Sequence, residues 1–403
     1  MQKKNKVILL VLSIAGALTL MFFTQIFLFV FTVISGILFL PGYYIYRKAI
    51  KTTGSEKVKY SLLGILIALS MAFPMGFAFM HFVPSFPDNF FLIAILETGL
   101  FWLPAGLYLF LTTLAVSIIA YLGEKMKIVK KETVENPKVR LAALAFILTV
   151  TTVTMVFAYR AQDKTIYSRY NVELPQKSGR PDSLRVVIIS DLHLTFNTPD
   201  NWVKDKVSMI NAIKPDLVLV VGDIVDSRPD LLKGKPFSED FHALKPRLGV
   251  WAVTGNHEHF DDLEESRRFI RSCGFILMDD SLALVDSAFY LAGRTDRMDK
   301  GRRKLSEILS AKTADLPVIL MDHQPRGLDE AVENDVGLQV SGHTHHGQMF
   351  PLNIATHFMY KVSWGYDKIG NTQFIVSCGL GLWGPQYRVC SRSEIVFADI
   401  IIK

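Results

Sequence analysis

Forty consecutive residues without a charge, Val7 to Tyr46, constrain this chain more than any other feature. A helix needs about 20 apolar residues to cross a hydrocarbon core, where no water satisfies an unpaired backbone group. The run is long enough for two spans, read as 7–23 and 26–46 with a turn at Thr24-Gln25. Further spans are expected at 61–82, at 98–122 within the apolar stretch 90–122, and at 141–159. Pro104 and Gly106 should bend the fourth, with Glu97 near one interface. A cleavable signal peptide would share the basic start, but the first apolar run is too long for one and lacks a small-x-small site. The expectation is an all-α transmembrane region over 1–159, a polar connector over 160–182, and a folded domain over 183–403.

Charge divides at the same place. The whole chain carries +6, but residues 1–159 hold fourteen Lys and Arg against six Asp and Glu, which leaves the remainder at −2. A slightly acidic folded half gives no footprint for a phosphate backbone, so no nucleic-acid partner is expected. The bilayer is the expected partner of the basic half. Lys3, Lys4 and Lys6 precede the first span, Arg47 to Lys59 follow the second, and Lys125 to Arg140 follow the fourth. The turns at Thr24-Gln25 and Val83 to Asn89 contain neither Lys nor Arg. Positive loops stay inside, so five spans would put residue 160 onward outside the cytoplasm. If 7–46 were one kinked span, the count would be four and that half would lie inside.

From Arg185 onward short β-branched runs alternate with stretches of helical length, the pattern of an α/β domain. Strands are read at 185–190, 216–221, 249–254, 317–321 and 337–341, and helices at 201–213, 262–272 and 300–310. Each strand ends in a polar cluster: Asp191-Leu192-His193, Gly222-Asp223 with Asp226, Gly255-Asn256-His257-Glu258, Asp322-His323, and Gly342-His343-Thr344-His345. Ligands bind beyond the carboxyl ends of strands in such sheets, so the five clusters should meet in one crevice. Imidazoles with carboxylates suit Zn, Mn or Fe, and one carboxylate can bridge two ions that activate water. Glu258 and His259 read as exposed loop residues, and His81, His242 and His357 have no motif context. Cys273, Cys378 and Cys390 have no metal-ligand spacing, although Cys378 and Cys390 could be bridged in an exported domain.

The ordered series D-x-H, G-D-x-x-D, G-N-H-E, H and G-H-T-H resembles the signature of calcineurin-like metallophosphoesterases over residues 185–402. That resemblance implies a four-layer α-β-β-α sandwich. It implies one metal held by Asp191, His193, Asp223 and His345, and a second held by Asp223, Asn256, His323 and His343. Asp223 would bridge two divalent ions. His257 would face the substrate phosphate as a catalytic group oriented by Asp226. The run Gly342 to Gln348, Trp364-Gly365-Tyr366, Ser377 to Gly381, Arg388 and Ser393-Glu394-Ile395 is similar to the YkuE-like bacterial branch. That branch usually reads G-H-T-H-G-G-Q, and here His346 departs from it. His346 and Arg388 are therefore candidate substrate contacts.

The expected activity is metal-dependent hydrolysis of a phosphomonoester, phosphodiester or pyrophosphate. Hydrophobic spans keep the site close to a bilayer, which favours a lipid-linked substrate, and the resemblance to enzymes acting on UDP-diacylglucosamine points the same way. A nucleotide phosphodiesterase or nuclease shares the metal centre. A membrane sensor with a non-hydrolytic domain is the rival from another class.

Overall fold

The computed structural model describes residues 56–403 apart from 84–85, 87–88, 163, 176–181 and 227, with isolated positions before 56. The expected span 7–23 lies outside the described residues, as does most of 26–46. The chain forms two compact units, Met1–Tyr159 with Gly384–Gln386, and Arg160–Trp383 with Tyr387–Lys403.

Among the described residues three helices are long and apolar enough to cross a membrane: α1 (Glu56–Phe82), α2 (Phe90–Lys125) and α3 (Pro137–Gln162). The side chain of Asn89 caps α2 by accepting from the Phe91 and Leu92 amides. α1 and α2 approach closely at two glycines, one on each helix. A Cβ at Gly76 would run into the Leu96 backbone, and one at Gly99 into the Phe73 backbone. Lipid offers no hydrophobic drive for helix association, so this close backbone approach supplies van der Waals contact instead.

The second unit is built on twelve strands: β1 (Thr165–Leu174), β2 (Asp182–Ile189), β3 (Leu217–Val221), β4 (Val250–Val253), β5 (Ile276–Leu277), β6 (Ser281–Val285), β7 (Phe289–Gly293), β8 (Val318–Met321), β9 (Leu338–Ser341), β10 (Gly365–Ile369), β11 (Thr372–Val376) and β12 (Ser393–Ile402). They form two six-stranded sheets, ordered β1-β12-β2-β3-β4-β5 and β10-β11-β9-β8-β7-β6. The register explains the apolar runs. In β2 Val186 and Ile188 face the other sheet, packing in one core with Ile319, Met321, Val340 and Ile375. Val187 and Ile189 point the opposite way, into a core with Val203, Val207 and Ile210 of α4 (Trp202–Ile213) and Ile270 of α5 (Leu263–Ser272). The second sheet buries its outer face against Leu305, Ile308 and Leu328. Central strands covered on both faces lose the polar alternation, which is why they read as continuous hydrophobic sequence. The layers are α-β-β-α, as the resemblance implied.

Two differences from the sequence reading stand out, and one open alternative is decided. Residues 165–174, expected within a connector, form β1, paired in parallel with β12 from Thr165↔Ser393 to Leu174↔Ile402. The expected helix at 300–310 shortens to Leu305–Leu309. Cys378 and Cys390 are not bridged; the Cys378 thiol is buried and donates to the Arg392 carbonyl.

Candidate metal centre

The strand ends bring the polar clusters together. Asp191 and His193 follow β2, Asp223 follows β3, Asn256 and His257 follow β4, His323 follows β8, and His343 and His345 follow β9. Parallel pairing of β2, β3 and β4, and of β8 with β9, aligns their carboxyl ends. The backbone then turns sharply. Asp191, His193, Asp223, His343 and His345 all take positive φ, between +45° and +71°. Each such residue costs about 1–2 kcal/mol, and strain concentrated this way is typical of functional sites. Gly222, also at positive φ, leaves room for a ring: a Cβ there would lie 2.6 Å from His323 Nδ1.

Three groups of ligand atoms result: one joins His193 with Asp226 and His257, and the other two hold only expected ligands. Asp191, His193 and His345 place theirs within 4.8 Å of one another, and so do Asp223, His323 and His343. Asn256 Oδ1 lies 2.7 Å from His343 Nδ1 and 3.2 Å from His323 Nε2. Asp223 Oδ2 is 3.1 Å from His323 Nε2 and 3.8 Å from His193 Nε2, so this one carboxylate reaches toward both groups. His193 Nε2 and His345 Nε2 face each other at 2.9 Å, while the other ring nitrogen of each is buried without a hydrogen-bond partner. Imidazole nitrogens converging with carboxylate oxygens are a donor set for borderline divalent cations. The seven expected ligands fit that role. Outer contacts fix them: His323 Nδ1 lies 2.8 Å from the Val221 carbonyl, and Asp191 accepts the His343 amide at 2.9 Å.

The electrostatics follow from burial and mutual charge. Burial resists ionisation of Asp223, but His323 and His257 outweigh it and hold the carboxyl well below its usual range. Burial, joined by the Asp223 carboxylate, lifts Asp191 against the pull of His323 and His193. His343 falls to about 3 through burial and the neighbouring His323, and His345 falls through burial and His193. Neutral imidazoles of this kind are the ligating form. His257 behaves oppositely: burial disfavours its charge, yet Asp223 and Asp226 hold its pKa up at about 9. Its Nδ1 lies 2.5 Å from Asp226 Oδ1. The ring stands edge-on to His193, at a centroid distance of 4.5 Å.

Glu258 departs from expectation most clearly. It is fully buried rather than an exposed loop residue, and its two oxygens accept the amides of Ile224 at 2.7 Å, Val225 at 3.0 Å, Asp223 at 3.1 Å and Gly255 at 2.6 Å. Burial and Asp223 push its pKa up to about 7, against the pull of the backbone donors. Glu258 thereby ties the loop carrying Asp223 to the loop carrying Asn256. Its signal was its place in G-N-H-E, beside two candidate site residues.

Arg388 and His346, the two expected substrate contacts, are both engaged by protein groups. Arg388 is 1% exposed, and its terminal nitrogens donate to the carbonyls of Cys378, Gly379 and Gly381 and to the Ser391 hydroxyl. The guanidinium props the backbone behind Asp191 and is not offered to substrate. The His346 ring packs on Trp364 at 4.8 Å, and the charges acting on it are Glu394 and His357, not the carboxylates of the centre.

A two-sheet sandwich whose strand ends gather these donors defines a metal-binding α/β class. Residues 184–347 match the family model for calcineurin-like phosphoesterases. A "Transmembrane protein with metallophosphoesterase domain" from Danio rerio is 29% identical over 422 residues, covering 96% of this chain and 91% of that one. An uncharacterized metallophosphoesterase of Aquifex aeolicus is 30% identical over 244 residues, 58% of this chain and 90% of its own length. The uncharacterized metallophosphoesterase YkuE of Bacillus subtilis is 29% identical over 222 residues, 53% of this chain and 78% of that protein. The chain belongs to the calcineurin-like metallophosphoesterase family. With its three long apolar helices and a transmembrane relative matched along nearly its whole length, it is a membrane protein.

Proposed function

We propose that this chain is a multi-pass membrane phosphoesterase that hydrolyses a lipid-linked phosphoester or pyrophosphate, with its catalytic unit outside the cytoplasm. The observation that carries the reading is the meeting of Asp223 with both groups of ligand atoms, beside an imidazole that is not part of either group's expected ligand set. Asp191, His193, Asp223 and His345 would hold one divalent cation, and Asp223, Asn256, His323 and His343 another. Bound there, two cations supply Lewis acidity, ionising water and neutralising charge that develops on the phosphoryl oxygens. The protein does the rest. His257, steadied through Nδ1 by Asp226, presents Nε2 to the phosphate or to the departing oxygen and donates a proton to it. The charge placement of the loops supports the outside location, and the apolar helices support a substrate drawn from the bilayer.

A substrate screen on the reconstituted full chain with manganese tests the proposal. Lipid phosphates and lipid pyrophosphates should be turned over faster than nucleotide diesters. Preference for nucleotide diesters would replace the lipid reading, and tight manganese binding with no hydrolysis would indicate a sensor.

A further inference from the structure

One helix of the catalytic unit is built inside out. In α6 (Leu352–Met359), Asn353 and Thr356, with Tyr360 one turn later, face the domain, while Leu352, Ile354, Ala355, Phe358 and Met359 are exposed. Phe358 is 83% exposed. A helix on a water-facing surface turns its apolar stripe toward the core, so the reversed stripe asks for a non-aqueous neighbour.

The position of α6 says which neighbour. Its start is pressed on the loop of His345: a Cβ at Gly347 would collide with the backbone of Leu352 and Asn353. Past its end, the Tyr360 ring meets His343 edge-on at 6.0 Å. Both ends of α6 therefore rest on the loop that carries His343 and His345. Hydrogen bonds also link the neighbourhood of α6 to the residues that follow the last apolar helix. α3 ends at Gln162, whose carbonyl accepts from the Ser393 hydroxyl at 3.2 Å, and β1 begins at Thr165. Ser168, about 10 Å along β1 at the usual rise per residue, donates to Glu394, which also accepts from Trp364 Nε1 at 3.2 Å. Trp364, itself 42% exposed, stacks against His346 next to the helix. A half-exposed indole with an anchored N–H, beside an outward apolar helix and close to a membrane exit, is the make-up of an interfacial contact.

We infer that α6, with Trp364, is a bilayer-seated foot of the catalytic unit, inserted among lipid headgroups so that the metal centre opens at the membrane surface. The contact itself needs only the membrane anchor. Its consequence, entry of substrate from the lipid phase, rests on the lipid-linked reading above.

The test uses the full chain with Cys390→Ser and a single added cysteine, Phe358→Cys or Ser310→Cys, carrying an environment-sensitive fluorophore in phosphatidylcholine–phosphatidylglycerol vesicles. Brominated lipid should quench and blue-shift the probe at 358 and leave the probe at 310 unaffected. An aqueous, unquenched spectrum at 358 overturns the inference, and so does cross-linking between copies at 358 without quenching. A second variant, Phe358→Asp with Met359→Asp, should keep hydrolysis of a soluble aryl phosphodiester and lose hydrolysis of a vesicle-embedded phosphoester. Equal loss on both would make α6 a prop of the centre, and no loss on either would remove its role in access. Quenching is read without turnover, so a failed foot and a failed phosphoesterase reading are distinguishable.

Discussion

Glu258→Gln isolates the strut that holds the two metal-bearing loops together. Each carboxylate oxygen accepts two backbone amides, Oε1 from Ile224 and Val225, Oε2 from Asp223 and Gly255. Whichever way a glutamine amide is turned, its NH2 faces two N–H donors, so two of the four bonds are lost. Hydrogen bonds to a charged acceptor are worth about 1.5–3 kcal/mol each, and the stranded amides belong to buried residues. Removing a negative charge beside Asp223 returns part of that sum, since burial and Asp223 already push Glu258 up to about 7. A net loss of about 3 kcal/mol remains, which in a domain of this size lowers the melting temperature by roughly 6–12 °C. Thermal unfolding of the full chain in detergent, followed through the fluorescence of Trp202 and Trp251, reads that shift. Because Asp223 and Asn256 hang on the joined loops, bound manganese should fall as well. A melting temperature within about 2 °C of the parent, with metal content unchanged, would show that the four amides do not depend on this carboxylate.

Three further outcomes are expected. Asp223→Asn removes the carboxylate that reaches both ligand groups and should cost at least about two orders of magnitude in hydrolysis together with bound metal; near-parental activity would refute the bridging role. His257→Ala should keep its metal by elemental analysis and lose about 10²–10⁴ in rate, whereas metal loss would make it a ligand. A reporter fused after Lys403 should be active only when it is displayed outside the cytoplasm, and activity inside would reverse the orientation drawn from the loop charges.

Much of the site was legible because its chemistry sits at strand ends, and strands buried on both faces announce themselves as runs such as Val186-Val187-Ile188-Ile189. The turn into each ligand is less visible: Asp and His enter positive φ more readily than most residues, but the residue type does not say that Asp191 and His345 do so. β1 was hidden for the opposite reason. It is an edge strand, and its sequence TIYSRYNVEL mixes exposed and half-buried positions before Val172 and Leu174 enter the core, so it resembles a connector. Its period of two, Tyr170-Val172-Leu174, was the available signal. Glu258 and Arg388 were misjudged because charge reads as surface. The groups that satisfy them are backbone amides and carbonyls, which no sequence displays.

The edge strand carries a consequence for biogenesis. β12 lies between β1 and β2, so the first sheet has a gap beside its edge strand until residues 393–402 have been made. While the ribosome is still working, β1 has no partner and the polar edge of β2 stays open. Assembly of the sandwich must wait until that strand has emerged, and removing residues 393–402 should leave an anchored chain that inserts yet never closes its catalytic unit.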